Sequence, residues 1–567
     1  MALHGTLGSS CLESIRMPSR WAFPRLAVSI AWVAAAAAGL FAPSTVTRGQ
    51  TPAIPSVASD AGFDPVAILE RGRELERDRR WAEALNHYEQ AVRNNPAHRE
   101  LTDRLSLAKA HFDVERRYTD AHFVQTLESS RLRESLDAYG EVLSKIQSHF
   151  VQPPQWHDLV RHGTFHWEVA LTEPLFLRRH VPRMTADQIN ACRREIRQLT
   201  DTRAPRNRTE ARDLVGWVAR MAEERLGLPP SATICEFVCG AMNCLDDYSG
   251  YLTHTQLEEV FSQIEGNFVG LGVELKADGQ GLMIVNVIRN SPADKGGLRS
   301  GDRIVAVDGQ STAGKTTDVA ADMLKGVDGS VVVVDVMDGD SMLRSVRMVR
   351  ERVDVPSVDE VRMVDPAAGI GYFKLTSFQK TTSRDVDTAL WSLHERGLRH
   401  LIIDVRGNPG GLLTAAVEVA DKFIEDGLIV MTRGRSPNED NDYQAQRKGT
   451  WRVPLSVLID GDSASASEIF AGAIRDHRRG RIVGVRSYGK GSVQGIFPLT
   501  SSNAGVRLTT AKFFSPSGQE INKRGVHPDI VVRTVAKPID NVEPVSATNQ
   551  SGDAILNAAV NAIREGR

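Results

Sequence analysis

Cysteine is what the chain has least of. Five in 567 residues (Cys11, Cys192, Cys235, Cys239 and Cys244) are too few for a disulfide framework. Cys235 and Cys239 fall one helical turn apart on an apolar stretch, a setting that suits buried free thiols better than a metal site. No metal and no cofactor is expected. Net charge is also nearly absent: 69 basic against 71 acidic residues leave −2 at pH 7, so the overall balance does not point to nucleic acid. Long uncharged runs are scarce, and the one that stands out, Leu26 to Ala42, follows Arg16, Arg20 and Arg25 and precedes Pro43. It is long for the apolar part of an export signal and short of the ~20 residues a spanning helix needs. Residues 1–50 are therefore predicted to be an export signal or a membrane anchor with a linker, which puts the remainder outside the cytoplasm, in a periplasm or at a cell surface.

What is present is a globular composition, 41% hydrophobic and 25% charged, with room for three or four domains at the usual ~150 residues each. From Asp60 to Tyr118 the pattern is helical. Gly72, Leu75, Ala84, Tyr88, Ala91 and Pro96 fall where a tetratricopeptide repeat places its small, aromatic and terminal proline residues, and 60–118 resembles one such unit. A single repeat buries its own face poorly, so this one is expected to pack on the next helices or on a protein partner. An amphipathic hairpin without a binding role fits equally well. Residues 119–265 read as further helix, with Ser135 to Phe150 amphipathic and 171–230 rich in Arg and Glu. His162 and His166 are a turn apart there, lack a third ligand and read as structural.

The composition changes at Gly266. Val269 to Leu275, Leu282 to Ile288, Arg303 to Val307, Ser330 to Met337 and Leu343 to Val349 read as strands, with helices at Ala293 to Leu298 and Thr317 to Lys325. Phe268-Val269-Gly270-Leu271-Gly272, Ser291-Pro292-Ala293 and Gly301 to Gly309 make 266–353 resemble a PDZ domain. The resemblance implies a groove in which a substrate's extended C-terminus adds as a strand, with Phe268, Val269, Gly270, Leu271 and Gly272 as the carboxylate-binding loop. A PDZ fold serving only as a hinge or lid is the alternative.

From 354 to 535 strands and helices alternate, which argues for a layered α/β core. Leu401 to Val405 reads as a buried strand leading into Arg406-Gly407-Asn408-Pro409-Gly410-Gly411, and Val453 to Ile459 as another before Ser463-Ala464-Ser465-Ala466-Ser467-Glu468. The last four have the form of a capping box. Tyr488-Gly489-Lys490-Gly491-Ser492 then presents one lysine. On these residues alone Ser465 can be a helix cap and Lys490 a solvated loop charge.

Together with Leu245 to Tyr251, Leu508 to Gly518 and Gly525 to Asp529, these motifs resemble the C-terminal processing (tail-specific) peptidases, over about Asp137 to Val532. The segment 171–230 looks like an insertion, and 536–567 is left as a C-terminal tail. The resemblance implies a multidomain α/β fold: a crotonase/ClpP-like layered core, an inserted PDZ domain and the helical N-terminal region. It implies Ser465 as nucleophile, Lys490 as general base, Gln494 as the residue orienting the lysine, and oxyanion amides at Ala466 and at Gly410 or Gly411. The chemistry agrees. A lysine of ordinary pKa ~10.4 serves as a base near pH 7 only if depressed by about three units, ~4 kcal/mol, most of which burial must supply. Two further readings are a non-enzymatic scaffold built on the PDZ and repeat-like parts, and an acyl-transfer enzyme on the same kind of core.

Overall fold

A computed structural model describes residues 29–31, 64–277, 282–313, 321, 323–338, 342–446, 450–532 and 553–566. Of the expected export segment only Ser29–Ala31 (β1) falls among them, and most of the helix expected over Thr317 to Lys325 lies outside the described residues. No helix of the described residues is long and apolar enough to cross a membrane.

The N-terminal part is helical, beginning with α1 (Pro65–Arg77), α2 (Trp81–Asn94) and α3 (Arg99–Thr119). Asp64 caps α1 by accepting from the amides of Val66 and Ala67, with Pro65 at the first helical position. Gly72 lets α1 and α2 touch, since a Cβ there would stand 2.2 Å from the Tyr88 ring. Tyr88 Oη donates to Glu76 at 2.8 Å, which satisfies the phenol in that core. Then follow α4 (Ala121–Ser129), α5 (Leu132–His149), α6 (Trp156–Ala170), α7 (Pro174–His180), α8 (Ala186–Thr202), α9 (Arg208–Leu226) and α10 (Pro230–Asn243). The expected insertion 171–230 thus contains three helices. It shares one apolar core with α5 and α6, through residues such as Val142, Ile146, Trp167, Phe176, Val215 and Phe237.

β2 (Gly250–Leu252) and α11 (His254–Glu265) lead to β3 (Asn267–Gly270), β4 (Val273–Ala277), β5 (Leu282–Val287), α12 (Pro292–Lys295), β6 (Arg303–Val307), β7 (Gln310–Ser311), β8 (Val331–Met337), β9 (Leu343–Val349) and β10 (Glu351–Asp354). The strand expected over Val269 to Leu275 is broken into two. β3 pairs with β10 as a ribbon at the root of this domain, whereas β4 is the edge strand of the antiparallel sheet β4-β5-β6-β8-β9. The break is Gly272, whose φ of +80° and tight packing against Ser291 suit no side chain.

The core has two sheets. β11 (Val358–Asp365), β12 (Ile370–Leu375), β13 (His400–Asp404), β17 (Leu455–Ile459), β18 (Gly480–Gly484) and β21 (Ile530–Val531) lie in that order, parallel except for β11. The second sheet has the order β14-β1-β19-β20-β15-β16 with β2 also on β20. Its strands are β14 (Gly411–Leu412), β15 (Leu428–Gly434), β16 (Asn441–Gln444), β19 (Ser492–Pro498) and β20 (Gly505–Phe514). Between the sheets pack α13 (Thr382–Glu395), α14 (Leu413–Asp421) and α15 (Ala466–Asp476), burying Phe373, Ile403, Val457, Phe423, Phe470 and Phe513 in one cluster. Parallel strands covered on both faces read as unbroken apolar runs, as His400–Asp404 does. Ile402 and Leu458 point to the opposite face, which is covered by α16 (Ala554–Arg564) through Ile555, Leu556, Ala559 and Val560. The tail expected over 536–567 therefore contains a docked helix.

Candidate active site

Three serines crowd the turn between β17 and α15, and their hydrogen bonds separate them. Ser463 Oγ donates to the Val405 carbonyl at 2.8 Å, and Ser467 Oγ to the Asn408 carbonyl at 2.9 Å. Both fasten the helix start to the 405–411 loop. Ser465 Oγ is fully buried and has no hydrogen-bond partner. Its backbone is strained, at φ 57° and ψ −113°, a region that a non-glycine residue occupies at a cost of ~1–3 kcal/mol and that clusters at functional sites. The expected capping arrangement is present: Glu468 accepts from the Ser465 amide at 2.9 Å, and the Ser465 side chain turns toward the Glu468 amide without making a hydrogen bond.

Glu468 does more than cap. Its buried carboxylate also accepts from Ser487 Oγ at 2.6 Å, from the Gly489 amide at 2.6 Å and from the Lys490 amide at 2.8 Å. One side chain therefore ties the backbones of Ser465 and Lys490 together. Burial pushes its pKa up to about 7 against the pull of those four donors. The S-x-x-E spacing exposes the cap to a sequence reader, but the clamp on the lysine loop arises from residues about 20 positions apart.

Lys490 is fully buried and its Nζ likewise has no hydrogen-bond partner. Burial first, and the Arg507 guanidinium second, hold its pKa well below the ordinary lysine value, with Asp246 and Glu468 opposing. Nζ stands 4.9 Å from the centre of the Tyr248 ring. Ser465 Oγ and Lys490 Nζ are not hydrogen-bonded to one another. Gln494, expected to orient the lysine, does not bond it: its Nε2 donates to Ser492 Oγ at 2.9 Å and lies 3.4 Å from Thr509 Oγ1. The register of β19 against β20 is irregular between Val493 and Gln494.

The glycine pair abuts the serine. A Cβ on Gly410, where φ is +106°, would lie 2.8 Å from the Ala464 carbonyl oxygen and from Ser465 Cβ, and 2.9 Å from the Ala466 amide nitrogen. The Gly410 amide donates within its own loop, to Asn408 Oδ1 at 2.8 Å. Gly410 O and the Leu412 amide are both bound by Phe378, at 2.9 and 2.7 Å. β14 and β19 flank a slot in which the backbone of Ser29–Ala31 runs antiparallel to both, Ile30 opposite Leu412 and Gln494.

Phe268 to Gly272 lie at the base of the small β domain, where β3 and β10 meet and immediately before the open edge of β4. This root touches the glycine loop through one short segment. Lys380 pairs with Glu265, the Lys380 amide donates to the Ile264 carbonyl at 3.0 Å, and Gln379 presses on Gly266. Phe378 is the next residue.

Residues 369–532 match the model of peptidase family S41, and residues 283–337 match that of a PDZ domain. Over 320 residues the chain is 36% identical to a carboxy-terminal-processing protease of Bartonella bacilliformis, an alignment covering 55% of this chain and 73% of that protein. Over 310 residues it is 31% identical to a probable CtpA-like serine protease of Staphylococcus aureus, covering 54% of this chain and 61% of the relative. Among solved structures it is similar to a photosystem II D1 C-terminal processing protease, at 24% identity and a TM-score of 0.38, over 72% of this chain and 95% of that one.

Proposed function

The chain belongs to peptidase family S41, the carboxy-terminal-processing serine proteases with a PDZ domain, and from that premise we propose that it cleaves exported proteins near their C-termini through Ser465 and Lys490. One observation carries the assignment: of three adjacent serines, only Ser465 is unpartnered, and it shares a buried carboxylate clamp with a lysine whose amine is also unpartnered. An unpaired ammonium in that site is costly, and burial shifts the lysine toward the neutral amine that a proton acceptor requires.

In this proposal Ser465 Oγ attacks the scissile carbonyl and passes its proton to Lys490 Nζ. The oxyanion is held by the amides of Ala466 and Gly411; Gly410 is the poorer candidate because its amide is already donated to Asn408. Lys490 then protonates the leaving amine, and water releases the acyl group by the same route. Substrate lies as an extended strand in the slot between β14 and β19, and Gln494 supports the lysine's strand from the Ser492 and Thr509 side. The PDZ domain takes the substrate's C-terminus at Phe268 to Gly272 and gates the site. Leu26 to Ala42 exports or tethers the chain, and α1 to α3 offer a docking place for a protein partner. A non-catalytic scaffold is not favoured, since neither Ser465, Lys490 nor the glycine pair is lost.

The test is digestion of casein by the full chain beside Ser465→Ala and Lys490→Ala. Each variant should fold and lose at least about 10³-fold in kcat/KM. Robust proteolysis by either one would overturn the assignment.

A further inference from the structure

The lysine's surroundings contain a second cation, an unusual neighbour for a base. Arg507 stands near the start of β20, opposite Ile496 of β19 and Gly250 of β2, so two ladders fix its position. Its Nε donates to the Tyr248 carbonyl at 2.9 Å. The Tyr248 amide is held in turn by Asp246 Oδ1 at 3.0 Å, and the Tyr248 ring faces Lys490 Nζ. Tyr248 thus links the two, its carbonyl bonded by the arginine and its ring facing the lysine. The charges bearing on Lys490 are Arg507 from β20, Asp246 from the turn before β2, and Glu468 from α15. Those bearing on Arg507 are Asp246 together with Arg116 and Asp113 of α3. An aromatic face attracts an ammonium, and so do Asp246 and Glu468. Against these three stands Arg507.

We propose that Arg507 is a positioning residue for proton transfer at Lys490, holding Tyr248 against the lysine by its carbonyl and setting a fixed positive charge nearby that disfavours an ammonium there. The inference rests on Lys490 as the general base. It follows that the proton affinity of the base is tuned by two side chains that touch no reacting atom, Arg507 lowering it and Asp246 raising it. A role confined to packing would move activity equally at every pH. A role in tuning moves the acid limb of the profile, and in opposite directions for the two residues.

The experiment follows kcat/KM against pH for casein cleavage by the full chain in five forms: wild type, Arg507→Gln, Arg507→Lys, Asp246→Asn and Lys490→Ala. Arg507→Gln should shift the acid limb upward by about one pH unit, a roughly tenfold loss below the limb that is recovered at alkaline pH. Arg507→Lys, which keeps the charge, should keep the wild-type limb. Asp246→Asn, which keeps an acceptor for the Tyr248 and Ser249 amides, should shift the limb downward. Arg507→Gln losing the same factor at all pH values, or the two neutralising variants shifting the same way, would overturn the proposal. If Arg507→Gln does not fold, the contrast between Arg507→Lys and Asp246→Asn decides: an unmoved limb in Asp246→Asn, or a displaced one in Arg507→Lys, overturns it. Lys490→Ala separates the premise from the inference. Activity there with an unchanged limb removes the base assignment, whereas a dead Lys490→Ala beside an unmoved limb in Arg507→Gln removes only the role of Arg507.

Discussion

At the scale of single residues, the candidate site joins two of the buried polar atoms that have no partner among the described residues. Buried hydroxyls and amines are ordinarily satisfied, because an unpaired one costs ~1–3 kcal/mol. Ser465 Oγ and Lys490 Nζ are both unsatisfied and lie on elements joined through Glu468. The lysine leaves a thermodynamic trace. Its folded pKa lies below that of the unfolded chain, so between the two values the unfolded chain binds more protons and stability rises with pH. The penalty is absent above ~10.4, the unfolded value, and grows as pH falls toward the folded one, by at most ~1.4 kcal/mol per pH unit. Lys490→Met should therefore be inactive yet more stable than wild type at pH 7, with the gap closing by pH 10. Urea unfolding at several pH values measures it, and a gap that widens with pH would contradict the sign.

At the scale of elements, α16 is tied to the glycine loop that abuts Ser465. Asp553 caps α16 at the Leu556 amide, 3.0 Å away, and takes two bonds from Arg406, at 2.8 and 2.7 Å. Arg406 also pairs with Asp404 at 2.6 Å, and Asp404 accepts from Tyr372 Oη at 2.8 Å. The loop that runs from Arg406 to Gly411 is thereby rooted in a helix far away in sequence. Asp553→Ala should cost about 1 kcal/mol of stability, modest because the pair is partly solvated. It should also lower kcat several-fold with little change in KM, as read by steady-state kinetics beside thermal melts. A change in KM alone would place the helix outside the catalytic geometry.

At the scale of the whole molecule, the PDZ root, the Phe378 to Lys380 segment and the glycine loop form one continuous set of contacts. Ser465 and Lys490 are both buried, so the proposed function requires a rearrangement that admits substrate to them. A substrate C-terminus that binds the open PDZ arrangement better than the closed one would shift the population toward the open one. Comparing one substrate with a free C-terminus against its amidated form should show kcat/KM lower by about tenfold or more for the amide, a loss worth ~1.4 kcal/mol of differential binding. Equal turnover would remove the gating role.

The sequence by itself determined the local and the repeated. Strands such as Arg303–Val307 and Val331–Met337 follow from β-branched runs between turns. The motifs around Gly410, Ser465 and Lys490 were legible because close backbone approach, a helix start and a glycine-flanked loop each leave a short-range mark. It did not reveal that Gly272 splits an apparent strand, that α16 covers the second face of the parallel sheet, or that Gln494 bonds Ser492 and Thr509 rather than the lysine. Only tertiary structure decided which serine is free, because Ser463 and Ser467 are occupied by carbonyls nearly 60 residues away in the chain. It also decided that the ammonium form of Lys490 is disfavoured, because desolvation and the charge of Arg507 depend on what surrounds Nζ in space and not on its neighbours in sequence.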